Sequence, residues 1–322
     1  MCRREVSSEA LRRELRSRLL CLLPFDAYCV NTCDVVSGLI TSSVGDGLSA
    51  EAARRLFELE ASGTDVNSLS ELATGVDPVR GLSLSTRGAP AQSRRMRDIF
   101  SPLGFADELR AALFVDHVCY GYLHLFRRAE RGPFTPRDLA LVRAVVPAIA
   151  RGLRGALRRA LRDMPDQRAE SAVLVVDARD CVVAESAGAT ARLALLDTTG
   201  SGLAHVVRAT AGEARQGRPA RATAVGPQYG RLSVRAVSLG RDTAIVLDDV
   251  LESAGAAVLL KALGLTPREL QVAALVAAGR SNQELADELG IALHTAKDHL
   301  KAILRKAECS SRGKLLARLR GL

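Results

Sequence analysis

Two short stretches near the end of the chain, TPRE at 266–269 and SNQE at 281–284, place a hydroxyl residue three positions before a glutamate. This is the capping-box pattern, in which the hydroxyl and the carboxylate bind backbone amides at the start of a helix. Gly279 and Gly290 follow the two predicted helices, where glycine permits the left-handed turn that ends a helix. Two helices must therefore begin and end within 266–290, which predicts a compact all-α module.

A third helix is predicted from about residue 294 to 307, and its sides differ in character. Apolar residues recur at offsets of 0, 4, 7 and 11 on one side: Ala296, Leu300, Ile303 and Ala307. Basic residues recur every four positions on another side: Lys297, Lys301 and Arg305. Like charges at that spacing repel one another in an isolated helix. An external anion therefore explains the basic side better than helix stability does.

The positive charge of the chain is concentrated in this module. The whole chain carries a net charge of +9, and residues 261–322 contain 11 Lys/Arg against 6 Asp/Glu. A basic terminal module on a body closer to neutrality favours a polyanion as its partner. The sequence thus predicts a nucleic-acid contact at this end of the chain.

The segment TPRELQVAALVAAGRSNQELADELGIALHTAKDHLKAILRKAECSSRGKLLARL, at 266–319, resembles the LuxR-type (GerE-type) helix-turn-helix of bacterial transcription regulators. That resemblance implies a four-helix all-α domain over 258–322, whose reading helix lies in the major groove of double-stranded DNA. It implies base contacts by the following residues: Thr295, Lys297, Asp298 and Lys301. It implies contacts near the phosphates by Ser281, Asn282 and Gln283, to which Arg305, Lys306 and Arg312 would add charge.

The module departs from the family pattern at several positions. Ala292 stands where a Ser or Thr usually caps the reading helix, and the absence of a cap costs about 1 kcal/mol. Ala296 and Ala307 replace larger apolar residues, and Glu308 replaces a usual glycine. These differences predict weaker packing and affinity rather than a different function.

The first region, 1–134, is predicted to be an α+β domain. Its signals are an amphipathic helix over 9–23, a hairpin around Ser37 and Gly38, a helix over 50–61, and two strands over 109–115 and 119–126. This mixture resembles the GAF-like sensor half of LuxR-type regulators. A ligand cannot be assigned from these residues, and no cofactor, metal or catalytic residue is predicted.

A long helix is predicted over the connector segment 135–168. Thr135 can cap it, Pro136 suits the first helical position, and apolar residues recur every three or four positions. Such a helix can pair with its copy in a homodimer, or it can pack on the sheet of its own domain. The sequence favours neither of these two arrangements over the other.

The third region, 169–252, contains a predicted hairpin, two short helices and three further strands. The hairpin is VLVVD and VVAES around the turn at 178–180, and the later strands are ARATAV, LSVRAVSL and TAIVLDD. This order of elements resembles a PAS-like α+β domain. The chain is therefore predicted to be a multidomain protein with two α+β sensor domains before the DNA-binding module.

Other classes of protein fit the sequence less well. Without a membrane-length apolar run or a signal-peptide pattern, the chain is expected to be cytoplasmic and to have no membrane partner. No nucleotide-binding loop, hydrolase motif or metal-ligand cluster indicates an enzyme. A sigma-like subunit that reads promoter DNA is the alternative, but the aromatic content of 3% leaves no promoter-melting face. The expected partners are double-stranded DNA, RNA polymerase and a second copy of the chain.

Overall fold

The computed structural model describes residues 7–46, 49–74, 76–162, 171–196, 203–226, 230–249 and 252–320. Contacts divide the chain into two compact units. One consists of Met1–Val115 and Cys119–Asp249, and the other of Asp116–Val118 and Val250–Leu322. The two strand-containing regions therefore lie in the N-terminal unit, and the predicted all-α module lies in the C-terminal unit.

The first half of the N-terminal unit is built on a five-stranded sheet. Its strands are β1 (Ala27–Cys33), β2 (Ile40–Gly45), β3 (Val79–Gly81), β4 (Phe105–Val115) and β5 (Val118–Arg128), in the order β2-β1-β5-β4-β3. Its helices are α1 (Ser8–Leu20), α2 (Ala50–Ser62), α3 (Leu69–Thr74), α4 (Leu82–Ser85) and α5 (Pro136–Arg162). The predicted helices, the hairpin around Ser37 and Gly38 and the two later strands are confirmed. The turn between β4 and β5 is formed by Asp116 and His117, whose φ angles are 51° and 62°.

Helix α5 runs for 27 residues, and its apolar stripe is buried within the chain. The helix packs against β3 and β4, and α1 packs beside it. Val142, Val146 and Ile149 are each no more than 3% exposed. This is the second of the two arrangements open from the sequence, a helix packed on its own sheet, and pairing with a second copy stays a prediction.

The second half of the N-terminal unit repeats the strand order of the first. Its strands are β6 (Ala172–Val176), β7 (Val182–Glu185), β8 (Arg221–Gly226), β9 (Gly230–Leu239) and β10 (Asp242–Asp249), in the antiparallel order β7-β6-β10-β9-β8. Helices α6 (Ala189–Leu196) and α7 (His205–Arg215) lie between its second and third strands. In both sheets the five strands follow the order second, first, fifth, fourth, third. The predicted α+β character is confirmed, whereas the GAF-like and PAS-like assignments remain predictions.

The two halves pack directly on one another through α2 and α7. A Cβ added to Gly212 of α7 would lie 2.9 Å from the Cβ of Ala61 on α2, so glycine permits the close approach. The backbone amide of Thr223 donates a buried hydrogen bond of 3.2 Å to the carboxylate of Asp34. The predicted domains 1–134, 135–168 and 169–252 therefore fall almost entirely within one compact unit. Their boundaries remain a prediction.

In the C-terminal unit, the regular elements described after Asp249 are all helices. Its helices are α8 (Glu252–Ala262), α9 (Pro267–Ala277), α10 (Asn282–Leu289), α11 (Leu293–Lys306) and α12 (Arg312–Arg320). Helices α9, α10 and α11 pack on one another, and α12 contacts α8 and α9. Their common core is small and aliphatic: Val272, Val276, Leu285, Ala296, Ile303 and Leu315. Across the described part of the chain, no helix combines the length and the apolar character that a membrane span requires.

Candidate nucleic-acid interface

Helix α9 begins at the first predicted capping box. The Thr266 hydroxyl accepts from the Glu269 amide at 3.2 Å, and the Thr266 amide donates to the Glu269 carboxylate at 2.7 Å. Burial raises the pKa of Glu269, but the Lys306 ammonium and the Thr266 donors outweigh it, so the pKa lies below its usual value. The charged carboxylate is thus part of the fold that holds α11 against α9.

Helix α10 begins in the same way. The Ser281 amide donates to the Glu284 carboxylate at 2.7 Å, and the Ser281 hydroxyl accepts from the Glu284 amide at 3.3 Å. The pKa of Glu284 is lowered, chiefly by the hydrogen bond from the Ser281 amide. Both capping boxes predicted from the sequence are confirmed.

The turn between α10 and α11 depends on Gly290 and Ala292. Gly290 adopts a left-handed φ of 60°, and the Ile291 amide donates to the Ala286 carbonyl at 2.9 Å. Ala292 is the N-cap of α11 with an extended backbone and no side-chain hydrogen bond. The missing cap predicted from the sequence is confirmed.

Helix α11 separates its apolar residues from its basic residues as predicted. Ala296 and Ile303 are fully buried, whereas Lys297, Lys301 and Arg305 are exposed. Asp298 is also exposed, and Thr295 is half-buried. The predicted base-contacting residues therefore lie on the first three turns of α11. Lysine and threonine there can donate to bases or phosphates, and the carboxylate of Asp298 can accept from a cytosine amine.

The predicted phosphate contacts at the start of α10 form one group with α12. Arg312 of α12 donates to the Asn282 side chain at 3.4 Å and to the Arg280 carbonyl. The side chain of Gln283 donates to Asp287 at 2.9 Å, one turn further along α10. Asn282 and Arg312 are thus brought together, and the hydroxyl of Ser281 is occupied by its role as a cap.

Lys306 differs from the other predicted phosphate contacts. Its ammonium donates to the Glu269 carboxylate at 2.6 Å and to the Gly264 carbonyl at 3.0 Å, and its side chain is 28% exposed. The structure places this charge in contact with α9, where a carboxylate already compensates it. Lys306 therefore stabilises the packing of α11 on α9, and its charge is not part of the exposed basic row that contains Arg305.

Arg280 was missed by the sequence reasoning. It directly precedes the cap of α10, is 48% exposed, and its guanidinium lies 2.9 Å from the Glu288 carboxylate. A cation immediately before a predicted phosphate-facing helix start was the available signal. The charge of Arg280 is therefore compensated by carboxylates of α10, as that of Lys306 is by Glu269.

The family described as "Bacterial regulatory proteins, luxR family" matches residues 263–318, which include α9, α10, α11 and most of α12. Residues 263–318 form a LuxR-family helix-turn-helix domain. The resemblance inferred from the sequence is thereby confirmed for this part of the chain. In this LuxR-family domain, α10 and α11 are the two helices of the motif.

Relatives of the LuxR-family domain include two curated proteins. The transcriptional regulatory protein LiaR of Bacillus subtilis (strain 168) is 44% identical over 48 residues, which is 15% of this chain and 23% of LiaR. The transcriptional regulatory protein MctR of Rhizobium johnstonii is 50% identical over 42 residues, which is 13% of this chain and 20% of MctR. These similarities thus span less than a quarter of either relative.

A distant likeness also extends over the whole chain. The crystal structure of Escherichia coli SdiA has 12% sequence identity and a TM-score of 0.39, over 100% of this chain and 94% of that chain.

Proposed function

We propose that this protein is a transcriptional regulator that binds specific double-stranded DNA through its LuxR-family domain. The observation that carries the proposal is the exposed row of Lys297, Lys301 and Arg305 on α11, opposite the buried side of that helix. A reading helix needs this division, because one side must pack on its domain while the other enters the major groove.

Within that interface, the first turns of α11 carry the base contacts. Thr295, Lys297, Asp298 and Lys301 are the proposed base-contacting residues. Lysine can donate to the acceptors of guanine, and Asp298 can accept from cytosine. The start of α10 and its neighbours face the phosphates through Ser281, Asn282, Gln283, Arg305 and Arg312. Helix N-termini and basic side chains bind phosphates without reading sequence.

The N-terminal unit is proposed to control the DNA-binding domain. Its two α+β halves are the proposed GAF-like and PAS-like sensors, with α5 as the helix between them. A homodimer would present two reading helices to adjacent half-sites, and RNA polymerase is the expected partner at a promoter. We expect a second copy of the chain and RNA polymerase as partners because transcriptional regulators of the proposed class act with them.

A titration of the full chain with DNA tests the proposal. Duplexes that the wild-type chain enriches from a random pool supply the target, and a shuffled duplex supplies the comparison. Lys297→Ala and Lys301→Ala should each weaken binding to the target by about 1–3 kcal/mol while binding to shuffled DNA changes less. Lys314→Ala is the matched control, because this exposed lysine lies on α12 outside the proposed base contacts.

Two outcomes would contradict the proposal. One is the failure of the pool to yield any enriched duplex. The other is equal binding of target DNA by the wild-type chain and by a folded double variant with both lysines replaced.

A further inference from the structure

Five charged side chains form an unbroken chain of ion pairs in the first half of the N-terminal unit. Arg95 lies 3.0 Å from Asp65 and 2.7 Å from Glu108, and Arg110 lies 2.8 Å from Glu108 and 2.6 Å from Glu60. The charges alternate from carboxylate to guanidinium along the series. The series therefore begins and ends with a carboxylate.

The middle of this series is completely buried. The side chains of Arg95 and Glu108 have no exposed surface, and that of Arg110 is 1% exposed. Removing charges from water is costly, and well-packed apolar side chains of similar size often stabilise a core at least as well. Fold stability alone therefore does not account for such a series.

The two carboxylates at the ends of the series differ in the number of hydrogen bonds that they accept. Besides the Arg95 guanidinium, the carboxylate of Asp65 accepts from four donors: the backbone amides of Val66, Arg94 and Arg95 and the hydroxyl of Ser93. Among the described residues, the carboxylate of Glu60 has one donor besides Arg110, the Leu69 amide at 3.3 Å. Glu60 is therefore the end of the series with capacity for a further donor.

Glu60 lies on the wall of a cavity of about 40 Å³ between the first sheet and α2. Arg110, Asn31 and His124 form its polar wall on the sheet. Aromatic rings complete its apolar side: Phe57, Phe126 and His205. A water molecule needs roughly 10–15 Å³ of such space, so the cavity has room for about three non-hydrogen atoms.

His124 adds no positive charge to the ion-pair series. Its Nδ1 lies 3.2 Å from Glu108 and its Nε2 lies 3.3 Å from the side-chain nitrogen of Asn31, which fits a neutral ring that donates to Glu108 and accepts from Asn31. Burial lowers the pKa of His124 despite the neighbouring carboxylate. With three carboxylates and two guanidiniums, the series keeps one negative formal charge.

We propose that this cavity is a binding site for a small organic cation, a primary ammonium group on a short apolar stem. The ammonium would donate to Glu60 at the open end of the ion-pair series, and the stem would lie against Phe57 and Phe126. Aromatic faces attract cations, so the apolar wall favours the same class of ligand as the carboxylate does. Binding at this site does not require DNA, so its test is independent of the proposed regulatory function.

Ethylammonium chloride is the probe, because it has three non-hydrogen atoms and carries the proposed head group. Saturation-transfer NMR on the full chain at constant ionic strength measures its binding, with ethanol and acetate as uncharged and anionic comparisons. A ligand of this size reaches at best millimolar affinity. Ethylammonium should bind at least tenfold more tightly than either comparison.

Two variants locate the site. Glu60→Gln should reduce ethylammonium binding at least tenfold, whereas Glu58→Gln, on the same helix and 41% exposed, should leave it unchanged. Ser43→Leu fills the cavity from β2 without altering Glu60, and it should also abolish binding. Circular dichroism verifies that each variant is folded.

The proposal is overturned if ethanol or acetate binds as tightly as ethylammonium, or if the wild-type chain binds none of the three. It is equally overturned if a folded Glu60→Gln or Ser43→Leu variant binds ethylammonium as the wild type does. If Glu60→Gln does not fold, the Ser43→Leu result decides.

Discussion

The Lys306 ammonium lies 2.6 Å from the carboxylate of Glu269 and joins the last turn of α11 to the first turn of α9. The same carboxylate accepts a hydrogen bond from the Thr266 amide, so one buried group closes a capping box and anchors α11. Glu269 is 5% exposed. The orientation of the exposed side of α11 therefore depends on the Lys306–Glu269 ion pair, which lies on the side of α11 that faces α9.

Replacing Lys306 with Met should destabilise the C-terminal unit by about 1–3 kcal/mol, since it leaves a buried carboxylate without its cation. Hydrogen exchange of the α9 and α11 amides measures this local loss without needing the N-terminal unit to unfold. Arg305→Met is the matched control and should change protection by less than about 0.5 kcal/mol, because Arg305 is exposed. Equal effects of the two variants would show that the pair with Glu269 contributes nothing.

The stability of the C-terminal unit should depend on pH through Glu269. Its pKa is lowered in the folded chain, so its contribution is present above the unfolded pKa, about 4.3, and is lost as pH falls through the folded pKa. The stability difference between the wild type and Glu269→Gln should thus be constant at pH 6–8 and shrink below about pH 4. Urea titrations across that range measure it, and a difference that stays constant down to pH 3 would contradict the assignment.

Glu308→Gly should stabilise the same unit by about 1 kcal/mol. Glu308 has a φ of 54°, and its backbone closes α11 by hydrogen bonds from Glu308 to Arg305 and from Cys309 to Leu304. A residue with a Cβ is strained in this left-handed position, whereas glycine is not. Gly279→Ala tests the reverse change at a φ of 85° with open space around the added atom, and it should cost a similar amount. Thermal unfolding measures the stability change of each variant. If Glu308→Gly leaves the stability unchanged, the backbone of Glu308 is not strained.

Local signals in the sequence predicted most helix boundaries correctly. Thr135 and Pro136 located the start of α5, and both capping boxes formed as expected. Such patterns are predictive because the groups that satisfy a helix end lie within four residues of it. The position of Lys306 was predictable in principle, since 100° per residue rotates it away from the row that ends at Arg305.

Long-range pairing was not predictable in the same way. Strand β4 was expected over 109–115, but it begins at Phe105. Asp107 and Glu108, in the part that was missed, are each 1% exposed, although their charges do not indicate a buried strand. Arg95 and Asp65 are 30 residues apart in the chain and meet only when the fold forms. Hydrophobic periodicity carries no information about such partners, so the cavity beside Glu60 could not be inferred from the sequence.

Ala292→Ser should stabilise α11 by about 0.5–2 kcal/mol. The backbone of Ala292 already has the extended conformation of an N-cap, and a hydroxyl there can accept an amide of the first turn. Hydrogen exchange of the first amides of α11 measures the gain. Ala292→Val is the matched control without an acceptor and should give no gain. If Ala292→Ser does not stabilise α11, water already satisfies the hydrogen bonds of these amides.

Arg305→Ala should separate phosphate contact from base contact. Arg305 continues the row of Lys297 and Lys301 into the fourth turn of α11, where phosphates rather than bases are expected. Its loss should lower the affinity for target and shuffled duplexes about equally. It should also reduce the slope of log affinity against log salt concentration by about 0.9. Lys297→Ala should instead reduce the preference for the target, since a base contact contributes to discrimination. Fluorescence anisotropy at several salt concentrations measures both quantities. If Arg305→Ala lowers the preference for the target and leaves the salt slope unchanged, then Arg305 contacts a base and α11 lies deeper in the groove than proposed.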